Sequence, residues 1–427
     1  MTAMPLTVPP PTGRPLTGRP LTVRLLAEED AAASRQLGFE AFGVPAPAPT
    51  EPATLAGRPG RSWFGAFDAD AATPGGELAA AGDVLAARLA VCDFASWFGG
   101  AELATAGIAG VTVAAEYRGQ GALAPLLTDA LTEARDRGAV LSSLFPTAPR
   151  IYRRFGYEVV GELQTVKVPT GQLAAVPPAT SVGVRRAGPA DVDAVRAVYD
   201  RWASRQNGPL TRRGVCFAFS AQDYLDGFTG VTVAEDAAGA VQGYASWERG
   251  QGYGEQALLE VTDLLADSAD GYRALLRALG SFATVTPQAT LETSGDDVIR
   301  TLLPSLHWQQ VHTSPYMLKV LDVPAALTAR TYPLGVTADL RFTLAGDVLA
   351  GLDGGYRLRV DGGRGSCDRV DPVARTLTPH GLALAFAGTQ SSANLRSCGH
   401  LLGGDPAEDL SWDFLLGGRQ MHIRNYF

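Results

Sequence analysis

The stretch of this chain that most limits its fold runs from Ala106 to Tyr157. A small-residue strand, Ala-Gly-Ile-Ala-Gly-Val-Thr-Val, leads through Tyr117-Arg118-Gly119-Gln120-Gly121 into an amphipathic segment. A second apolar strand and Ile151-Tyr152-Arg153-Arg154-Phe155-Gly156-Tyr157 follow. Strand, glycine loop and helix in that order make an anion cradle. Glycines at 119 and 121 let the backbone turn tightly and approach a ligand, and the next helix points its free N–H groups and positive dipole end at the loop. A phosphate sits readily in such a place. Leu123, Leu126, Leu127, Ala130, Leu131 and Ala134 recur at helical spacing, with Asp129, Glu133 and Asp136 on the other side and Gly138 as the stop.

No Gly-Lys-Ser/Thr follows the loop, and the spacing is not GxGxxG, so two nucleotide motifs are excluded. A second glycine run, Arg249-Gly250-Gln251-Gly252-Tyr253-Gly254, joins two strand-like stretches, Gln242–Glu248 and Ala257–Leu265. No helix start faces it. It is expected to be a hairpin turn.

Val111-Thr112-Val113, the run Arg118 to Ala124 and Ile151 to Tyr157 resemble the Eis-type (enhanced intracellular survival) N-acetyltransferases of the GNAT class. Those proteins have V-x-V, an Arg-x-x-Gly-x-Gly/Ala loop and I-Y-x-R-F-G-Y at this spacing. Leu123 stands where the last glycine or alanine is usual, and the chain ends in Phe427, as that family's chains do. The resemblance implies an acyltransferase with acetyl-CoA as co-substrate, acting on a small-molecule amine of the aminoglycoside-like or lysine type. It also implies a homo-oligomer, a hexamer.

Residue roles follow from the same resemblance. Backbone N–H groups of Val111, Thr112 and Val113 would face the thioester carbonyl, on a strand that splays from its neighbour in the GNAT fold. Arg118, Gly119, Gln120, Gly121, Ala122, Leu123 and Ala124 would hold the pyrophosphate. Thr147 and Ala148 match further cofactor contacts, although Pro149 and Arg150 replace the usual small residues. Tyr152 would be the general acid and the α-carboxylate of Phe427 the general base.

The residues themselves permit this chemistry without compelling it. A phenol with a pKa of ~10 is neutral at pH 7 and can protonate a departing thiolate; a packing tyrosine beside Phe155 and Tyr157 is the bland alternative. Ala106–Val113 has no carboxylate where many GNAT enzymes place a glutamate base. Glu102, Glu116 and His422 are the other candidates, each with a surface or packing role. An α-carboxylate, ordinarily at ~3.3–3.7, is a weak base for an ammonium unless burial raises it or a water relays the proton. Aminoglycoside-acetylating relatives have acids aligned with Ala41 and Tyr426 and an aromatic aligned with Gly110, and Glu40, Asp93 and Trp97 are the candidates to compensate. Two further functions stay open: transfer of a longer acyl chain, and non-catalytic lipid or ligand binding.

The expected fold class is α/β (α+β): tandem GNAT-like domains over residues 21–165 and 166–322, then a sterol-carrier-like α+β domain over 323–427. Val23-Arg24 before Asp30 and a helix recurs as Val184-Arg185 before Asp191 and the helix Val192–Ala203, an internal repeat of a domain start. In the second copy Asp267-Ser268-Ala269-Asp270 occupies the cradle's place, so no cofactor is expected there. After residue 323, Leu340, Phe342 and Leu344, then Tyr356, Leu358 and Val360, alternate with polar residues as half-buried strands. Helical stretches are expected near 392–402 and 410–416. Residues 1–20 read as a disordered Pro-rich tail.

A chain of 427 residues is too long for one ordinary core. Its net charge of −8 disfavours a nucleic-acid or anionic-membrane partner. Cys92, Cys216, Cys367 and Cys398 are scattered without CxxC, and Cys398-Gly399-His400 alone cannot complete a zinc shell, so no disulfide framework and no metal are expected. Without a long apolar run or a signal-like start, the expected compartment is cytoplasmic.

Overall fold

The computed structural model describes residues 21–45, 49–55, 59–69, 83–253, 257–305 and 307–427; the tail expected over 1–20 lies outside them. Its main feature is a sheet of strands β1 (Thr22–Leu25), β2 (Arg61–Asp68), β3 (Val84–Phe98), β4 (Ala101–Val113), β5 (Leu141–Leu144), β6 (Glu158–Pro169), β7 (Val182–Arg186), β8 (Gly230–Asp236), β9 (Val241–Arg249), β10 (Leu258–Ala266), β11 (Gln288–Thr293) and β12 (Gln309–Val320). The order across it is β1-β2-β3-β4-β5-β12-β6-β11-β10-β9-β8-β7.

The repeat visible in the domain starts extends to whole halves. β1 to β4 are antiparallel and β4 then takes β5 as a parallel neighbour; β7 to β10 repeat this with β11. The repeated arginine and aspartate make the same contact in both halves, Arg24 to Asp30 at 2.6 Å and Arg185 to Asp191 at 2.7 Å. Each aspartate also accepts a backbone N–H three residues back, from Ala27 and Gly188, both at 2.8 Å, which fixes the start of the following helix.

The halves exchange their last strands. β6, which follows the first half in sequence, lies against β11 of the second; β12, which ends the second half, lies against β5 of the first, and β6 and β12 pair with each other. One strand, Glu158–Pro169, thus runs through the 165/166 boundary expected from sequence. Burial on the helix Leu123–Asp136 falls on Leu126, Leu127, Ala130, Leu131 and Ala134 of the stripe that the periodicity predicts, while Leu123 at its start is half-buried. Gly138 terminates it at φ +101°.

Beyond the large sheet, five strands in the order Arg364–Val370, Gly354–Asp361, Ala338–Leu344, Thr376–Leu377, Leu401–Leu402 form a second one. Leu340 opposes Leu358 and Phe342 opposes Tyr356, so the alternating residues all face one core. The helix expected near 392–402 is shorter: it spans Ser392–Ser397, because Gly399 (φ +76°) breaks it and Leu401–Leu402 pairs with Thr376–Leu377. Among the described residues no helix is long and apolar enough to cross a membrane.

This C-terminal unit shares one core with the first half, Tyr157 and Tyr316 belonging to the same buried cluster as Phe342 and Phe386. Lys319 of β12 and Asp347 form an ion pair across the seam, their side chains 1% and 2% exposed. A Cβ on Gly156 would lie 2.8 Å from the Pro379 Cβ and 2.9 Å from the Lys319 Nζ, so the glycine of the Phe-Gly-Tyr motif is where the two units touch. Asp347→Ala strands a buried ammonium and is expected to lower stability by ~3–5 kcal/mol. The double change Lys319→Met, Asp347→Leu should recover most of that loss. Denaturant melts of the three proteins check it; equal stabilities of Asp347→Ala and the parent would refute it.

Candidate active site

β4 and β5 pair only from Thr105, Ala106 and Gly107 to Leu141, Ser142 and Ser143. Past Gly107 they part, and the β5-facing edge of β4 has no strand partner. β4 is also bulged there: Arg88 opposes Thr112 and Ala90 opposes Ala109, so Leu89 faces both Gly110 and Val111. Gly110 takes φ +56°, and a Cβ on it would come within 3.1 Å of the Trp63 ring. Splay and bulge together leave a gap beside Val111, Thr112 and Val113, on the edge of β4 that β5 no longer covers.

The glycine loop follows directly on the end of β4, beside that gap. Gly119 (φ +75°) and Gly121 (φ +86°) have nothing within 4 Å of where a side chain would project, so the space in front of them is free. No hydrogen bond among the described residues takes the N–H of Gly119, Gly121, Ala122 or Leu123. Free donors, positive φ and a helix start are what a diphosphate needs, and the residues present fit one. Arg118 Nε donates to the Val113 carbonyl at 3.1 Å, tying loop to strand, and Tyr117 donates to Asp68 at 2.9 Å. Ala124 N donates to Gly121 O at 3.0 Å and completes the turn into the helix.

On the other side β5 runs through Phe145 and Thr147 to the short helix Pro149–Arg153. Pro149 occupies its first turn, where a missing N–H costs nothing. Ala148 is the residue before the helix and Thr147 is exposed beside it. Tyr152 is 7% exposed, edge-on to Tyr157 at 6.3 Å, and burial pushes its phenol up to about 12. Tyr157 is fixed in turn, its hydroxyl 2.6 Å from Ser142 Oγ, which donates to Ala106 O at 2.8 Å.

The chain end reaches the mouth of the splay. The Phe427 ring packs edge-on to Phe94 at 4.9 Å, Phe145 at 5.4 Å and Tyr316 at 6.5 Å, and a Cβ on Gly107 would meet it at 2.9 Å. The ring of the last residue is therefore held where β4 and β5 diverge. The other base candidates are engaged elsewhere. Glu102 is paired with Arg213, Glu116 is exposed, and His422 is buried against Trp202 at 4.8 Å in the second half, where burial lowers its pKa. Asp93 is paired with Arg137, Trp97 lies under the Arg213 guanidinium at 5.6 Å, and Ala41 and Glu40 are exposed. Sequence reasoning missed the aromatic nest of Phe94, Phe145, Tyr316 and Trp63, whose members come from four separate segments with no shared motif.

At the corresponding place the second half carries Asp267-Ser268-Ala269-Asp270 in place of a glycine loop. The run from Arg249 joins antiparallel β9 and β10, with Arg249 donating to the carbonyls of Gly250 at 2.6 Å and Gly252 at 2.7 Å; Gly254 lies outside the described residues. At the start of the helix Ala269–Gly280, Asp270 accepts from the N–H and hydroxyl groups of Thr180 and Ser181 at 2.8–2.9 Å. An internal carboxylate thus stands at that helix start.

Comparison with known proteins gives three matched regions: an acetyltransferase (GNAT) domain over residues 22–160, a second over 208–321, and a sterol carrier protein domain over 323–412. An uncharacterized N-acetyltransferase of Streptomyces avermitilis is 29% identical over 318 residues, covering 71% of this chain and 76% of the relative. The N-acetyltransferase Eis of Mycobacterium bovis is 28% identical over 320 residues, 71% of this chain and 74% of its own. In three dimensions the chain is similar to a GCN5-related N-acetyltransferase from Kribbella flavida, with a TM-score of 0.77 at 26% identity over 95% of this chain and 99% of the other.

Proposed function

We propose, for a chain that belongs to the Eis-type GNAT N-acetyltransferases, that it moves an acetyl group from acetyl-CoA to the nitrogen of a small-molecule amine. The observation that supports the reading most is the parting of β4 from β5 past Gly107, with an open glycine loop following β4 and the Phe427 ring packed over Gly107. Acetyl-CoA would supply the activated thioester. Gly119, Gly121, Ala122 and Leu123 offer free backbone donors to its diphosphate, and the free edge of β4 at Val111–Val113 offers donors to the carbonyl. The Phe427 carboxylate takes the proton that the ammonium gives up, and Tyr152 returns one to the leaving sulfur. The acidic balance of the chain, −8, suits a cationic acceptor. We take the active form to be a homo-oligomer.

Thiol release from a series of acyl-CoAs, measured against a panel of amines, tests this reading. Acetyl-CoA should be turned over fastest and only with an amine present. Release that favours long chains, or no release with any amine, would overturn it. The cradle has its own test. Gly121→Asp sets a carboxylate before the diphosphate and should weaken acetyl-CoA by ~10²-fold or more, because like charges a few ångströms apart cost several kcal/mol in a partly dry seat. Gly252→Asp, in the hairpin, should leave affinity unchanged. Titration calorimetry on both proteins decides, and equal losses would relocate the site.

A further inference from the structure

The second half splays as the first does. β10 and β11 pair in parallel from Leu258 to Val261, and the register of β10 then shifts as it leaves β11. What lies in this second splay is the chain's own end. Asp263, 2% exposed, accepts from Arg212 Nη2 at 3.1 Å and from the Tyr244 hydroxyl at 2.9 Å. Arg212 stacks its guanidinium 4.0 Å over Tyr199 and donates from Nε to Asn425 Oδ1 at 3.0 Å. The neighbouring Arg424, also buried, donates to Asp297 Oδ2 at 2.8 Å. Asn207 fixes the strand of backbone just before: its N–H donates to Gln420 O at 2.9 Å and its carbonyl accepts from His422 N at 2.8 Å.

Two features set this arrangement apart from ordinary packing. Arg212 is the sole non-glycine residue with positive φ (54°) among the described residues, and such strain persists only where the surroundings over-determine it. Chain ends normally fray, yet residues 420–425 carry one buried and one half-buried guanidinium contact. Phe427 lies two residues beyond Asn425, a reach of at most ~7 Å. The contact at Asn425 therefore limits where the terminal carboxylate can be.

We propose that the second splay is a clamp that sets the register of the chain end, with Arg212 and Asn425 as positioning residues for the Phe427 carboxylate. The inference rests on the reading that this carboxylate acts as the base. The repeat then has a division of labour: one splay takes the co-substrate, and its copy takes the last residues of the same chain and delivers them to the first.

A cycle of four proteins tests it: the parent, the parent with one glycine added after Phe427, Asn425→Ala, and Asn425→Ala with the same glycine. Asn425 is half-buried, so its truncation spares the Arg212–Asp263 pair; melting temperature and acetyl-CoA affinity serve as checks on folding. With the clamp intact the added glycine should cost ~10²-fold or more in kcat, because an ångström of misplacement is enough for that. Asn425→Ala should lower kcat ~10-fold with KM for acetyl-CoA unchanged. In the Asn425→Ala background the added glycine should then cost less than ~3-fold, since a released tail can slip to restore its carboxylate; this non-additivity is the signature of coupling. Equal losses in both backgrounds would overturn the clamp while leaving the base assignment standing. No loss from glycine in the parent would overturn the base assignment itself.

Discussion

A glycine appended after Phe427 should leave a folded protein that binds acetyl-CoA and turns over ~10²–10⁴ times more slowly, the range for losing a general base. With Asn425 held by Arg212 and the Phe427 ring packed on Phe94, Phe145 and Tyr316, the tail cannot slide to absorb an added residue. The carboxylate instead moves outward by one residue, ~3.8 Å between Cα atoms. Glu102 cannot replace it while paired with Arg213, and His422 is buried in the other half. Steady-state turnover together with acetyl-CoA titration separates the two effects. Parent-like kcat in the extended protein would mean that the base lies elsewhere, and a loss of affinity would mean that the tail seats the co-substrate.

Tyr152→Phe carries the other large effect. Burial raises the phenol to about 12, so it remains protonated through any practical assay pH and its proton is available to a leaving thiolate. A raised pKa keeps an acid in its active, protonated form to higher pH, so the alkaline limb of kcat should not fall through the ordinary tyrosine value of ~10. Removal of the hydroxyl should lower kcat by ~10²–10⁴-fold and leave acetyl-CoA affinity in place. Stability should hardly change, because no described residue hydrogen-bonds that hydroxyl and the ring contact with Tyr157 is retained. An unchanged kcat would reduce Tyr152 to packing.

Much of the first half was readable because its signals are local. The helix Leu123–Asp136 shows itself by period, Gly119 and Gly121 by the turn they must make, and Gly138 by the stop it imposes. The domain starts were readable for a similar reason, since Arg24 with Asp30 and Arg185 with Asp191 lie six residues apart and meet within one turn. The C-terminal strands alternate, and Leu340, Phe342 and Leu344 duly face inward. Contacts made across long stretches of chain left no such trace. Trp63 packs where Gly110 has no side chain, Arg212 reaches Asn425 across 213 residues, and β12 lies beside β5. Nothing in the local pattern of either partner announces the other.

That last pairing bears on how the protein is made. While the ribosome is still short of residue 309, β5 presents a bare edge and the first half lacks its neighbour, so a co-substrate cradle can form before the sheet around it is complete. The first half must therefore wait, partly open, through the synthesis of almost the whole of its copy. Pairings of such sequence separation are the slow ones. Cutting the chain between the halves should yield two fragments with unmatched edges that become soluble only when produced together.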